Sequence, residues 1–257
     1  MAGKIYVING MQQQFLGVFF AHHDEPLPDT VTLNYPTPPP RATSSARQQK
    51  KWQSQRMAFF LLHKIFEQYQ LDTTHLQQIQ RTPSGRPYLA DPRIDFNISH
   101  SGDWVAIIFS LSTPTKMVGI DIEHPQKIRR YADLLRYYAK PKEIAEIENG
   151  QVLPQLDSLE KRFYLSWCLR EAVLKSQGVG IVKLSEVQHS LSEQRIYSAH
   201  CPQGTLCFYH QLPFYLAYFF EQEGTVLSLP SLSQWQNGRF VPVHTSVPII
   251  YQVNPCN

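Results

Sequence analysis

Val118-Gly-Ile-Asp-Ile-Glu123 alternates with a period of two, the pattern of a β-strand with two unlike faces. Val118, Ile120 and Ile122 share one face; Gly119, Asp121 and Glu123 share the other. Carboxylates at i and i+2 have α-carbons about 7 Å apart. They can converge on one hard cation such as Mg²⁺, which takes one or two protein carboxylates with phosphate oxygens and water. An acidic, solvated strand face has the same pattern, so the strand alone leaves both readings open.

Downstream, residues 159–177 read as a long helix closed by Gly178 as a left-handed cap. Glu171 and Lys175 are four apart and lie on one helical face. On a surface such a pair contributes little. Here the same strip carries Tyr164, Trp167 and Cys168, and Ser166, Arg170 and Gln177 are expected to face solvent. Charges among large apolar groups must pair or line a cleft. A cleft beside the acidic strand would use both, with Glu171 as a third carboxylate. Three carboxylates without a cation would repel and raise their own pKa values.

Upstream, 95–101 and 104–111 predict a hairpin around Gly102-Asp103, with Phe96 and Ile98 on one face. Pro83, Gly85 and Pro87 make 81–88 a turn. Trp52, Phe59, Leu62, Phe66 and Tyr69 predict a helix over 46–69, whose first turns carry Arg47, Lys50, Lys51 and Arg56. Strands are expected at 4–8 and 15–21, with an irregular Pro/Thr/Ser-rich segment over 24–46. Helices are expected at 128–138 and 141–148, and strands at 205–210, 214–220, 225–229 and 246–253. The order implies an α+β chain of two similar halves divided near Pro114: 1–113 and 114–257.

The 257 residues are 42% hydrophobic and 12% aromatic, enough for a well-filled core. A charged share of 18%, against the usual ~25%, argues against a disordered chain. The net charge of +3 permits an anionic small molecule or an acidic partner, without the dense basic stripe of a nucleic-acid binder. Cys168, Cys201, Cys207 and Cys256 form no C-x-x-C pair, and the histidines show no zinc-ligand spacing. No secretory leader or membrane-length apolar run is read, so a soluble cytoplasmic protein is expected.

Gly119-Ile-Asp-Ile-Glu123, followed by Phe163-Tyr-Leu-Ser-Trp-Cys-Leu-Arg-Glu-Ala-Val-Leu-Lys175, resembles the two signature motifs of the 4'-phosphopantetheinyl transferases. The second is similar to that family's W-x-x-K-E-A-x-x-K. Gly85-Arg-Pro87 is similar to its G-K-P, and Phe96-Asn-Ile-Ser-His-Ser101 to its F-N-I-S-H-S. The match is closest to the surfactin-synthetase-activating, Sfp-like class. Arg170 and Arg86 stand where that family usually has lysine, a change of geometry though not of charge.

The resemblance implies a pseudo-twofold pair of α+β subdomains with a cleft between them, the first serving coenzyme A and the second carrying the metal-binding strand and catalytic helix. It implies transfer of phosphopantetheine from coenzyme A to a carrier-protein serine. Asp121, Glu123 and Glu171 would hold Mg²⁺ (or Mn²⁺), Glu171 would act as base and Lys175 would bind the pyrophosphate. Ser99 and His100 would reach the phosphates of coenzyme A, and Arg47, Arg56 and Arg86 its 3'-phosphate. The partner would be an acidic acyl or peptidyl carrier protein, met partly by apolar contacts around 134–138, with no nucleic acid or membrane involved. The enzyme would be a monomer. Two rivals remain at this stage: a metal-dependent nucleotide phosphodiesterase using water as nucleophile, and an inert carrier-binding module.

Overall fold

Strand β1 (Phe15–His22) begins the described part of the computed structural model, which covers residues 14–28, 37–223 and 228–256. Helix α1 (Ala46–Gln68) starts at Ser45, which closes a reciprocal capping box with Gln48; this satisfies backbone donors that a helix start leaves open. After a 3₁₀ turn at Thr73–Gln78 come the short paired strands β2 (Gln80–Arg81) and β3 (Pro87–Tyr88). The hairpin follows as β4 (Ile94–Ser101) and β5 (Trp104–Leu111), and then β6 (Val118–Glu123). Helices α2 (Tyr131–Tyr138), α3 (Pro141–Asn149) and α4 (Leu159–Ser176) come next. The chain ends in β7 (Gln188–Ser190), β8 (Arg195–Tyr197), β9 (Gly204–Tyr209), β10 (Tyr215–Glu221), β11 (Ser231–Gln236), β12 (Arg239–Pro242) and β13 (Ile249–Val253).

The strands form two main sheets, ordered β12-β11-β1-β5-β4 and β6-β10-β9-β13-β8-β7. Alternation along each strand gives both sheets two apolar faces, and three cores follow. Phe19, Ala21, Phe96, Ile107 and Phe109 pack under α1. Leu206, Phe208, Ala217, Phe219 and Tyr251 pack under α4. Between the sheets, Val18, Phe20 and Ile108 of the first meet Val118, Ile120, Ile122, Leu216 and Tyr218 of the second. The layers therefore run helix, sheet, sheet, helix, an α+β architecture of two similar halves packed face to face.

Several expectations are revised. The strand expected at 225–229 falls partly outside the described residues, and the strand nearest to it is β11. β11 pairs in parallel with β1, and β12 extends that sheet before β13 returns to the second. A division at 113/114 therefore separates the long helices but not the sheets, because 231–242 completes the first half. The expected strand at 4–8 lies outside the described residues. Ser166 and Arg170 do not face solvent: they are 0% and 1% exposed. Helices α2 and α3 pack over that side of α4, and a periodicity argument made on one helix cannot count neighbours from elsewhere in the chain.

Candidate active site

Along one side of the two facing sheets, side chains of the end strand β4 reach the end strand β6. Asp95, Asn97, Ser99 and Ser101 are alternate residues of β4 and point at β6. Asp95 Oδ2 accepts from the Val118 N–H at 2.9 Å, Asn97 Oδ1 from Ile120 at 3.0 Å, Ser99 Oγ from Ile122 at 3.2 Å and Ser101 Oγ from His124 at 3.1 Å. Four short acceptors thus satisfy the backbone donors that β6, lying at the end of its sheet, would otherwise leave unpaired. The Asn-Ile-Ser-His-Ser stretch is in large part this zipper. Its signal in the sequence is a period-two run of small polar acceptors opposite Phe96 and Ile98.

The zipper places the acidic face of β6 against α4. Gly119 allows the approach: a Cβ there would lie 2.0 Å from the Ala172 carbonyl oxygen and 2.9 Å from the Ser176 nitrogen, both backbone atoms that cannot swing aside. Gly119→Ala is therefore expected to cost about 3 kcal/mol, the upper part of the range for overpacking, and to displace Asp121. Urea denaturation would measure the loss; a variant with wild-type stability would contradict the close approach.

Lys175 Nζ reaches Asp121 Oδ1 at 2.5 Å, Ser99 Oγ at 3.1 Å and Glu171 Oε2 at 3.8 Å. Ser99 Oγ donates in turn to Asp121 Oδ1 at 3.2 Å, and Ser101 Oγ to Glu123 Oε2 at 2.9 Å. Asp121 and Glu171 are buried. Burial, with Asp121 and Glu123 nearby, raises the pKa of Glu171 well above the ordinary carboxylate range despite the Lys175 ammonium. Burial and Asp121 likewise raise that of Glu123. Burial works against the charge of Lys175, but Asp121 and Glu171 outweigh it and hold its pKa above the usual lysine value. The expected mutual repulsion of the carboxylates is thus present, with one ammonium set among them.

The donor set fits a hard divalent cation. All three groups are carboxylates, and Asp121 Oδ2 is a buried oxygen with no hydrogen-bond partner. Among the described residues no group of three or more His, Cys, Asp or Glu side chains is placed to hold a metal ion. Mg²⁺ does not require one, since substrate phosphate and water complete its shell.

The other expected site residues are distributed differently. Ser99 and His100 point to opposite faces of β4, as adjacent strand residues must; Ser99 is committed to β6, Asp121 and Lys175, while His100 is exposed on the α1 side. Arg86 does not present its guanidinium as a free phosphate clamp. Its Nη2 bonds both oxygens of Asp95 at 2.8 Å and its Nε donates to the Lys175 carbonyl at 3.1 Å. It joins the 81–88 turn to β4 and to the end of α4. Arg47 is exposed, whereas Arg56 is half-buried with its guanidinium 4.6 Å over the Trp52 ring. Nine helical residues separate them by about 180° and about 13 Å, so they do not serve one phosphate oxygen together.

Arg170 occupies a site the sequence did not suggest. Its guanidinium meets Glu143 of α3 at 2.7 Å and 2.5 Å and Ser166 Oγ at 2.7 Å. His189 Nδ1 lies 3.2 Å from Glu143 Oε1. Burial would raise the pKa of Glu143, but the His189 hydrogen bond and the Arg170 charge win and bring it to about 2. The same His189 Nδ1 lies 3.5 Å from Arg170 Nη1, so the three side chains form one cluster. This buried cluster lies on the flank of α4 away from β6, and it fixes the helix that presents Glu171 and Lys175.

Comparison with known proteins agrees with this arrangement. A family model described as "4'-phosphopantetheinyl transferase superfamily" matches residues 117–227, and one described as "4'-phosphopantetheinyl transferase, N-terminal" matches 46–112. A Haemophilus influenzae protein provisionally named a 4'-phosphopantetheinyl transferase is 46% identical over 213 residues, 82% of this chain and 86% of its own. The Bacillus subtilis 4'-phosphopantetheinyl transferase Sfp is 30% identical over 118 residues, 46% of this chain and 48% of its own. The human L-aminoadipate-semialdehyde dehydrogenase-phosphopantetheinyl transferase is 30% identical over 141 residues, 50% of this chain and 43% of its own. With these family models matched and a relative 46% identical over most of both chains, this chain belongs to the 4'-phosphopantetheinyl transferase superfamily.

Proposed function

We propose that this enzyme transfers the 4'-phosphopantetheine arm of coenzyme A to a serine of an apo acyl or peptidyl carrier protein, as a holo-[acyl-carrier-protein] synthase. The serine oxygen attacks the β-phosphorus and a new O–P bond forms. The bond to the bridging pyrophosphate oxygen breaks, adenosine 3',5'-bisphosphate leaves with the electron pair, and the serine proton passes to the base. The observation that carries the reading is the set of Asp121, Glu171 and Lys175, brought together where β6 meets α4.

Glu171 is the base, directly or through one water, since burial and its acidic neighbours increase its proton affinity. Lys175, charged and 29% exposed at its side chain, binds the pyrophosphate and offsets charge on the leaving phosphate. Asp121, Glu123 and Glu171 would hold Mg²⁺ or Mn²⁺; when bound, the ion neutralises pyrophosphate charge as a Lewis acid. His100, Arg47 and Arg56 remain candidates for contacts to coenzyme A.

The carrier meets the segment that follows β6. Over 127–142, Lys127, Arg129, Arg130, Arg136, Lys140 and Lys142 against Asp133 give a net +5, more than the +3 of the whole chain. All six basic side chains are exposed. Ile128 and Tyr137 are 92% and 87% exposed between them, whereas Leu135 and Tyr138 are turned into the core. A basic face with apolar points suits an acidic partner through steering. Arg130→Glu with Arg136→Glu is expected to raise KM for the carrier about tenfold, equivalent to roughly 1.4 kcal/mol, and to leave KM for coenzyme A unchanged. An unchanged carrier KM would remove this face from the reading.

Among the described residues no helix is long and apolar enough to cross a membrane. The reading places the enzyme in the cytoplasm as a monomer, its two halves supplying one cleft. Mass spectrometry of an apo carrier after incubation with enzyme, coenzyme A and Mg²⁺ tests the function. A gain of one phosphopantetheine is expected. No gain across several carriers would overturn the transferase reading, and rapid hydrolysis of coenzyme A without any carrier would favour the phosphodiesterase alternative.

A further inference from the structure

We infer that Asn97 is a positioning residue for the transfer, holding the Asp121 strand and the Lys175 helix at their working separation; this rests on the proposed roles of Asp121 and Lys175. Asn97 is 3% exposed. Its Oδ1 accepts from the Ile120 N–H at 3.0 Å, and its Nδ2 donates to the Lys175 carbonyl at 3.4 Å. One side chain therefore ties the backbone next to Asp121 to the backbone of Lys175 itself. The side chains of those two residues meet at 2.5 Å. Their contact is made by a long flexible lysine, so its precision depends on where the two backbones are held.

The position calls for an acceptor and a donor in one short planar group, which asparagine supplies. Aspartate at this point would set an oxygen against the Lys175 carbonyl. Serine would retain the zipper bond, because Ser99 and Ser101 already accept from β6 with that geometry at 3.2 and 3.1 Å. Serine is too short, however, to reach the helix carbonyl as well. Asn97→Ser thus removes one link and spares the other. Both polar atoms of Asn97 are committed to backbone, so its contribution is one of placement. Placement matters because a 1 Å error between reacting groups costs on the order of 100-fold in rate.

Steady-state kinetics on purified full-length enzyme with apo carrier, coenzyme A and Mg²⁺ would test this, at a temperature where every variant is folded by circular dichroism. Asn97→Ser is expected to lower kcat about tenfold and Asn97→Asp about 100-fold, with KM for coenzyme A within about threefold of wild type. Leu61→Ala, a core change under the first sheet, is the control: it should lower the melting temperature yet keep kcat within about twofold. Wild-type kcat in a folded Asn97→Ser variant overturns the inference. So does a kcat loss in Leu61→Ala as large as that in the Asn97 variants. Asp121→Asn and Lys175→Ala run alongside; if those retain full transfer, the proposed site itself fails and Asn97 has nothing to position.

Discussion

Glu171→Gln is expected to reduce phosphopantetheine transfer by about 10³-fold, within the range that loss of a general base produces, while the fold stays at least as stable as wild type. The two halves of that statement have one cause. Glu171 is buried, with Asp121 and Glu123 raising its pKa. A carboxyl whose folded pKa lies above its unfolded value destabilises the fold once ionised. The amide has the same shape and no charge to desolvate. It gives up only a 3.8 Å ion pair to Lys175, which keeps Asp121 at 2.5 Å. Without metal, the melting temperature should be unchanged or raised. The amide cannot take the serine proton, and it is a poorer donor to a divalent ion. Mass spectrometry of the carrier and thermal denaturation together check the result. Transfer within tenfold of wild type would show that Glu171 is not the base.

Glu143→Ala should be the most destabilising single truncation at the site's support, at about 3–5 kcal/mol, because it leaves a buried guanidinium without its counter-charge. Arg170 and Glu143 have side chains 1% and 4% exposed. The guanidinium would retain Ser166 and the face of the Tyr138 ring at 4.9 Å, neither of which carries a negative charge. Glu143→Met with Arg170→Met should recover much of the loss, since a well-packed apolar pair avoids the desolvation cost. A double variant as unstable as Glu143→Ala would show that the pair is needed for more than charge balance. Urea denaturation at neutral pH measures both variants against wild type.

The same cluster sets an acid limit. The pKa of Glu143 falls from 4.5 to about 2 in the fold, a depressed carboxylate. Its contribution is complete above about pH 4.5 and is lost as pH falls towards 2. The amount is about 3 kcal/mol, at 1.36 kcal/mol per pKa unit. Burial also depresses the pKa of His189, so protonating it opposes folding in the same direction. Stability measured from pH 6 down to pH 2 should fall along this course, and the double methionine variant should fall less.

Much of this protein was legible in one dimension, because the forces involved are local or periodic. The apolar repeats of α1 and α4, the Gly178 stop, the hairpin on either side of Gly102-Asp103 and the alternation of β6 follow from propensity and burial pattern. So did the shared face of Asp121 and Glu123 and the strip holding Glu171 and Lys175, which meet through Lys175 at Asp121 and Glu171. The opposed directions of Arg47 and Arg56, and of Ser99 and His100, were also implicit in helical and strand geometry.

Tertiary structure alone decided the rest, because it depends on segments far apart in the chain. Nothing near 231–242 announces that β11 and β12 complete the first sheet, more than 200 residues after β1. Arg170 resembled a solvent residue until α3 brought Glu143 over it, and Arg86 resembled a phosphate clamp until β4 supplied Asp95. Asp121 and Glu123 were placed on one face by a six-residue pattern. Their opposition to Lys175 required a four-bond zipper, a glycine without a side chain and a buried asparagine, each acting across more than 20 residues.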